Sequence, residues 1–263
     1  MKIHFTGTHA GYASKFGQTT GFVIESDSEL IVVDVPENTQ QLIQQMNLSL
    51  SKITVICITH MHLDHIAGLI SLLSTLLTNN SSNKISLLGP VGIQAYVDFY
   101  LKSILLVPQP ASLQIIELSP LQRLDFDHFS LQTVNLKHVV TCLGYFFDFK
   151  STNILFALDT NLNMNKEELK QLYNVQWFVT ECTFKSEQIS KCESSGHSCP
   201  KFIAEIQEVM KPVNIIVSHM RREYQQVHSA PKIKEIKATR SILGEEMEFD
   251  VHIAEPLAFC QIK

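Results

Sequence analysis

The stretch ITVICITHMHLDHIAG, residues 53–68, decides how this chain is read. An apolar and β-branched run, Ile53 to Thr59, stops abruptly at His60. His62, Asp64 and His65 follow before apolar residues resume at Ile66. Such a run reads as a buried strand, and its end is a costly place for three imidazoles and a carboxylate without a partner. The spacing is not that of the helical zinc proteases, in which two histidines four apart share one helix face. It is a loop spacing. His60 and His62, two apart, point to the same side of an extended chain and can bind one metal. Asp64 and His65 follow around the bend and can serve a second. Read alone, Asp64 has an ordinary explanation as the N-cap of a helix beginning at HIAGL. Neutral imidazole and carboxylate suit zinc, and also manganese or iron, and two metals close together can share a hydroxide.

The pattern recurs. Apolar runs end in a ligand or acid–base group at Leu136-Lys137/His138, Leu158/Asp159, Thr180/Glu181 and Ser218/His219. Buried strands that all end this way point to one site along one edge of the sheets.

The strands themselves are expected at 2–6, 20–26, 30–34 and 53–58, then at ISLLG, 113–118 and 129–138. LGYFFDF and NILFALD form a hairpin across KST. QWFVT, VNIIVSH, MEFDVH and LAFCQI complete the set. Helices are expected at 66–78, where Leu69, Leu72, Leu73, Leu76 and Leu77 keep helical spacing, and at VGIQAYVDFYLKSIL, KEELKQLY and KFIAEIQEVM. Each half gathers several strands and then one that ends in histidine. That predicts an α/β, four-layer αββα sandwich of two mixed β-sheets with helices on the outer faces.

The chain has 263 residues, 45% of them hydrophobic. TNNSSNK, 78–84, is the most loop-like segment and is too short to divide domains, so one domain over 1–263 is expected. The net charge of −5 does not favour a long electrostatic footprint on nucleic acid. It leaves room for a small anionic substrate, since a metal supplies local positive charge. The opening MKIHFTGTHAGY has no basic head and apolar core, and IAGLISLLSTLL is too short and too rich in Ser and Thr to span a bilayer. A cytoplasmic protein with no membrane partner is expected. The six cysteines suit reduced, buried thiols, and the CESSGHSC spacing matches no common zinc module.

THMHLDH resembles the histidine motif of the metallo-β-lactamase superfamily, and His138, Asp159 in FALDT and His219 in VSHM fall in the order of its remaining ligands. The resemblance implies a binuclear hydrolase: His60, His62 and His138 on one metal, Asp64, His65 and His219 on the other, and Asp159 bridging. TECTF, 180–184, followed by GHS, 196–198, is similar to the ribonuclease Z branch, which includes small phosphodiesterases. There the acidic residue and the downstream histidine, here Glu181 and His197, assist proton transfer. Asp64 is a candidate both to bind metal and to orient the nucleophile. The branch's tRNA-processing members carry an inserted arm, in many of them between the third histidine and the bridging Asp; here a plain hairpin joins His138 to Asp159. A phosphodiesterase acting on a small phosphodiester such as a cyclic nucleotide, with two divalent ions, Zn2+ first and Mn2+ or Fe2+ next, is therefore expected. The alternatives are a ribonuclease acting on tRNA 3′ ends or short RNA, and a lactonase or thioesterase, whose carbonyl chemistry the same metals would serve. A homodimer would be unsurprising for this branch. Arg221 and Arg222 are candidates for phosphate contact, and His9 for a place at the pocket border.

Overall fold

Strands whose apolar residues are almost continuous need both faces covered, and this chain builds two sheets that cover each other on one side and are covered by helices on the other. The computed structural model describes residues 1–13, 17–78, 84–103, 110–163, 172, 174–221 and 252–262. The strands are β1 (Lys2–Gly7), β2 (Gly21–Glu25), β3 (Leu30–Val33), β4 (Ile53–Cys57), β5 (Ile85–Pro90), β6 (Leu113–Leu118), β7 (Arg123–Asp125), β8 (Phe129–Leu136), β9 (Cys142–Phe149), β10 (Asn153–Ala157), β11 (Trp177–Glu181), β12 (Asn214–Ser218), β13 (His252–Ile253) and β14 (Phe259–Gln261). The first sheet runs β14-β1-β2-β3-β4-β5-β6 and the second β13-β12-β11-β10-β9-β8-β7. Each is antiparallel at one end and parallel at the other: β3 to β6 are parallel in the first sheet, β10 to β13 in the second. The sheets are thus both mixed, as expected.

Alternation along the strands divides the core. Ile31 and Val33 of β3 join Tyr145, Phe147, Phe156 and Val179 between the sheets. Leu30 and Val32 belong to a second cluster with residues of the helices α1 (Thr39–Gln45), α3 (Leu69–Thr78) and α4 (Ile93–Ser103), on the outer face. A short helix, α2 (Leu63–Ile66), precedes α3. On the other side Leu155, Phe178 and Val217 pack with Ile203, Ile206 and Met210 of α6 (Pro200–Met210), which follows α5 (Ile189–Ser195). The four-layer αββα order follows. Phe156 sits between the sheets with Phe22 at 5.2 Å and Phe147 at 5.9 Å, edge-on to both. Truncating a buried ring of this kind costs about 3–5 kcal/mol.

The helix expected at 66–78 is two pieces, α2 and α3. The break follows from Gly68: a Cβ there would stand 2.2 Å from the Pro36 carbonyl oxygen, and the Gly68 amide donates to the Val35 carbonyl at 2.9 Å. The β3–α1 corner presses on this point. Asp64 lies in the first turn of α2 and His62 occupies the cap position, so the capping role for Asp64 does not hold. α1, β7 and α5 were not foreseen. Most of the expected helix KEELKQLY, most of MEFDVH and most of TNNSSNK lie outside the described residues.

The parallel strands bring the site together. β10, β11 and β12 lie in register, Ala157 beside Thr180 and Glu181 beside Ser218, so their C-terminal ends share one edge. β4 ends against the opposite sheet: the Leu143 amide donates to the Thr59 carbonyl at 2.9 Å, and the Tyr145 hydroxyl to the Ile58 carbonyl at 2.7 Å. These two bonds lace the sheets beside His60. Among the described residues no helix is long and apolar enough to cross a membrane.

Candidate metal centre

Past the end of β4 the chain carries His60 and then His62, whose backbone is extended, and the two rings meet, His60 Nε2 lying 2.9 Å from His62 Nδ1. The loop after β8 brings His138 to the same place, its Nε2 3.3 Å from His62 Nδ1. On its other side His138 Nδ1 donates to the Gly196 carbonyl at 2.9 Å. A carbonyl only accepts, so the proton sits on Nδ1 and the Nε2 lone pair faces the cluster. Thr59 sets His60 likewise: its hydroxyl gives its one proton to Asp34 Oδ2 at 2.8 Å and accepts from His60 Nδ1 at 3.0 Å.

His65, on α2, donates from Nδ1 to Asp34 Oδ2 at 2.7 Å, and its Nε2 turns toward Asp64 at 3.6 Å and Asp159 at 3.4 Å. His219, past the end of β12, brings its Nε2 to 3.2 Å from Asp159 and 3.8 Å from Asp64. Asp159 lies between the two groups and divides its oxygens. Oδ1 faces His65 and His219, while Oδ2 faces His60 at 3.7 Å and His138 at 3.8 Å.

The residues fit a pair of cations. His60, His62, His138 and Asp159 offer one set of converging donor atoms, all within 4.8 Å of each other; Asp64, His65 and His219 offer another. His65 Nε2, His219 Nε2 and Asp159 Oδ1 are buried with no hydrogen-bond partner, although buried polar atoms are rarely left so. The local field also draws in positive charge. Burial opposes ionisation of Asp159, but the surrounding imidazoles, His219 and His65 first, hold its carboxyl well below the usual range. Burial likewise opposes ionisation of Asp64, yet His219 and His65 hold it at about 2. Burial keeps the His60 ring neutral, helped by His65, and also favours the neutral form of His138. Ionised carboxylates and the neutral rings of His60 and His138 are donors a divalent ion takes. Burial opposes charge on His65, but Asp159 and Asp34 hold its ring well above the usual imidazole range, and it would give up its proton to such an ion.

Glu181 and His197 stand beside this cluster. His197 Nδ1 donates to Glu181 Oε1 at 2.8 Å. The same oxygen accepts the Thr160 amide at 2.8 Å, and Oε2 accepts both the amide and the hydroxyl of Thr183. Both oxygens of this fully buried carboxylate are thus occupied, which suits holding His197 rather than a metal. Burial disfavours the charged form of His197, but the Glu181 carboxylate and then Asp159 outweigh it and push the ring up to about 9.

A cavity of about 410 Å3 opens onto these groups, lined by Asp64, Asp159, His197 and His219 together with His9 and Arg221. His9 therefore borders the pocket as expected. Arg222 lies outside the described residues. Cys192 and Cys199 pack against Phe184, and all six cysteines are buried and outside any disulfide. Three residues of the site, Asp34, Thr59 and Thr183, have no role in the sequence reading. Asp34 closes the apolar run LIVVD and so carries the very signal used for Asp159. Thr183 stood inside the quoted TECTF without a role.

The sequence profile of the family described as Anti-Pycsar protein Apyc1 matches residues 1–232. Ribonuclease BN of Proteus mirabilis (strain HI4320) is 28% identical over 288 aligned positions, covering 85% of this chain and 90% of its own. Several proteins named ribonuclease Z match as well, but this chain spans only about half of their length. Among solved structures, human tRNase Z, short form, superposes with a TM-score of 0.79 at 22% identity, covering 100% of both chains. Unliganded yeast PDE1 superposes with a TM-score of 0.67 at 18% identity, covering 97% of each. The fold is that of the metallo-β-lactamases, and the chain is a ribonuclease Z-like, metal-dependent hydrolase. With 232 of its 263 residues matched, it belongs to the Anti-Pycsar protein Apyc1 family.

Proposed function

We propose that this member of the Anti-Pycsar protein Apyc1 family is a binuclear phosphodiesterase acting on a small phosphodiester such as a cyclic nucleotide. The observation that carries the reading is the divided carboxylate of Asp159, one oxygen toward His60 and His138 and the other toward His65 and His219. In this reading His60, His62 and His138 hold one ion, Asp64, His65 and His219 hold the other, and Asp159 holds both. Zn2+ suits the nitrogen-rich set best, with Mn2+ and Fe2+ also compatible. Two such ions supply Lewis acidity and activate water near neutral pH.

The chain's own residues do the rest. Asp64, fixed by the Gly11 amide at 3.1 Å, orients the attacking water. His197, protonated at neutral pH, gives a proton to the leaving oxygen as the P–O bond breaks, and Glu181 holds the ring in place and stabilises its charge. The cavity lies within the range of small-ligand pockets, about 300–1,000 Å3. His138 reaches Asp159 through the β9–β10 hairpin with three residues, 150–152, at its turn, a connection with no insertion to grip a long RNA. A cytoplasmic location and a single domain over 1–263 remain part of the proposal.

The match to Ribonuclease BN over 90% of its length favours a second reading, in which the same centre cuts the 3′ end of tRNA or short RNA. Purified protein loaded with zinc or manganese is to be assayed on bis(p-nitrophenyl) phosphate, a cyclic nucleotide, short single-stranded RNA and a lactone. The expected result is phosphodiester turnover that disappears in His62→Ala together with part of the bound metal. Turnover of RNA but not of the cyclic nucleotide would select the second reading. Turnover of the lactone alone would remove both.

A further inference from the structure

We infer that the pocket has a nucleobase subsite beside the metal centre, with Tyr12 as its stacking platform and the Arg221–Phe184 pair as a second wall. The inference deepens the phosphodiesterase reading and rests on it for the phosphate's position. The motive is an aromatic residue in an unusual place. Tyr12 is 70% exposed, yet it lines the same cavity as Asp64, Asp159, His197 and His219. A large exposed ring at the mouth of a polar cleft is poorly explained by packing, whereas ring faces at such places stack bases.

The loop that carries Tyr12 is tied to the site by the backbone. The Gly11 amide, one residue before it, donates to Asp64 Oδ2 at 3.1 Å. Gly11 has φ +79, a left-handed conformation that glycine adopts without penalty, so the turn that presents Tyr12 is built for this residue. The Ala10 amide donates to the Met220 carbonyl at 3.1 Å, and the Met220 amide to the Thr8 carbonyl at 3.0 Å. This small ladder joins the Tyr12 loop to the segment His219-Met220-Arg221. Tyr12 thus lies one residue beyond an anchor to Asp64, and Arg221 two residues beyond His219. Both are placed by the backbone that places candidate ligands.

The second wall is itself ordered. The Arg221 guanidinium lies over the Phe184 ring at 5.6 Å, and Phe184 sets its ring edge-on to His197 at 6.1 Å. A guanidinium over an aromatic face still has N–H donors for carbonyl and ring-nitrogen acceptors. A phosphodiester at the centre would therefore place an attached base against aromatic and guanidinium surfaces. A substrate lacking a flat heterocycle would leave them unused.

The test is calorimetric binding of adenosine and uridine 5′-monophosphates, and of ribose 5-phosphate, to the zinc-loaded protein, with wild-type turnover of a cyclic nucleotide measured alongside. Base stacking predicts that at least one nucleotide binds about ten-fold or more tightly than ribose 5-phosphate. Tyr12→Ala is expected to collapse that preference, while Tyr12→Phe, which keeps the ring, preserves it. Equal binding of nucleotide and ribose 5-phosphate by the wild type, or a preference that survives in Tyr12→Ala, would overturn the subsite. Base preference without cyclic-nucleotide turnover would sink the catalytic reading and leave the subsite standing. Turnover without base preference would do the reverse.

Discussion

Two buried carboxylates, one from each sheet, are built into the same device and used differently. Asp34, at the end of β3, accepts the Thr59 amide and hydroxyl, both at 2.8 Å, and His65 Nδ1 at 2.7 Å; the Thr59 hydroxyl then takes His60 at 3.0 Å. Glu181, at the end of β11, accepts the Thr183 amide and hydroxyl and His197 Nδ1 at 2.8 Å; the Thr183 hydroxyl then takes His219 at 3.1 Å. In each a carboxylate grips one histidine directly and a second through a threonine. The difference is where the directly held ring goes. His65 is fully buried and turns Nε2 onto Asp159. His197 keeps 18% of its side chain open and lines the cavity. In the proposed reading one clamp sets a pair of ligands, the other a ligand and an acid. A carboxylate behind a histidine raises its basicity, and whether the consequence is metal affinity or proton donation depends on what the far nitrogen faces.

The hardest way to break this comparison is to remove the group both clamps aim at. Asp159→Ala leaves the two donor sets without the carboxylate that faces both, one oxygen to each, and takes a negative charge from a low-dielectric site. Turnover is expected to fall by roughly three orders of magnitude or more, with at most one tightly held ion by elemental analysis. Two equivalents of metal in this variant would end the bridging role.

His197→Ala divides the clamps. If the second one makes an acid, this variant keeps both ions and loses about 10²- to 10⁴-fold in rate. The pH profile adds a sign. The acid is needed protonated and its ring is raised to about 9, so kcat/KM of the wild type falls as pH rises through about 9. That alkaline limb is expected to vanish in the variant. Loss of metal in place of the limb would make His197 a ligand like His65.

Much of this was legible in the sequence, and the clamps mark where legibility stopped. His60, His62, Asp64 and His65 fall within six residues, so strand-end chemistry and loop spacing suffice to propose them. His138, Asp159, Glu181 and His219 each close an apolar run and needed only the idea that parallel strands end on one edge. Asp34 carries the same mark and was passed over, because its meaning depends on β3 lying beside β4 with Val33 opposite Cys57, a pairing no local pattern supplies. Thr59 and Thr183 are invisible for a further reason: a threonine next to a strand end is ordinary, and only the distances show a hydroxyl between a carboxylate and an imidazole. The split of helix 66–78 at Gly68 has the same origin, a contact with Pro36 distant in sequence.

Asp34→Asn sharpens the comparison from the ligand side. Asn tolerates the left-handed backbone at this position, φ 59, so the exchange removes charge with little strain. The His65 and His60 supports weaken together. Loss of such an outer partner costs metal affinity about 10- to 100-fold. A chelator competition is expected to show that loss, while the alkaline limb that belongs to His197 stays where it was. An unchanged affinity would reduce the first clamp to a fold-stabilising contact.

The smallest effect is also the most specific. Thr183→Val keeps shape and volume but takes away the hydroxyl, leaving Glu181 one donor short and His219 Nδ1 without its acceptor. The penalty for such an orphaned buried pair is about 1–3 kcal/mol, and it is spread over stability, His219 and His197. If the threonine positions both rings, chelator competition shows His219's ion weakened by less than ten-fold and the alkaline limb shifts to lower pH, since Glu181 no longer holds His197 in one place. Thr183→Ser, which restores the hydroxyl but not the methyl, brings both readouts back. A variant that loses thermal stability while affinity and limb stay put would show that this hydroxyl serves the fold alone, and the likeness between the two clamps would then end at their geometry.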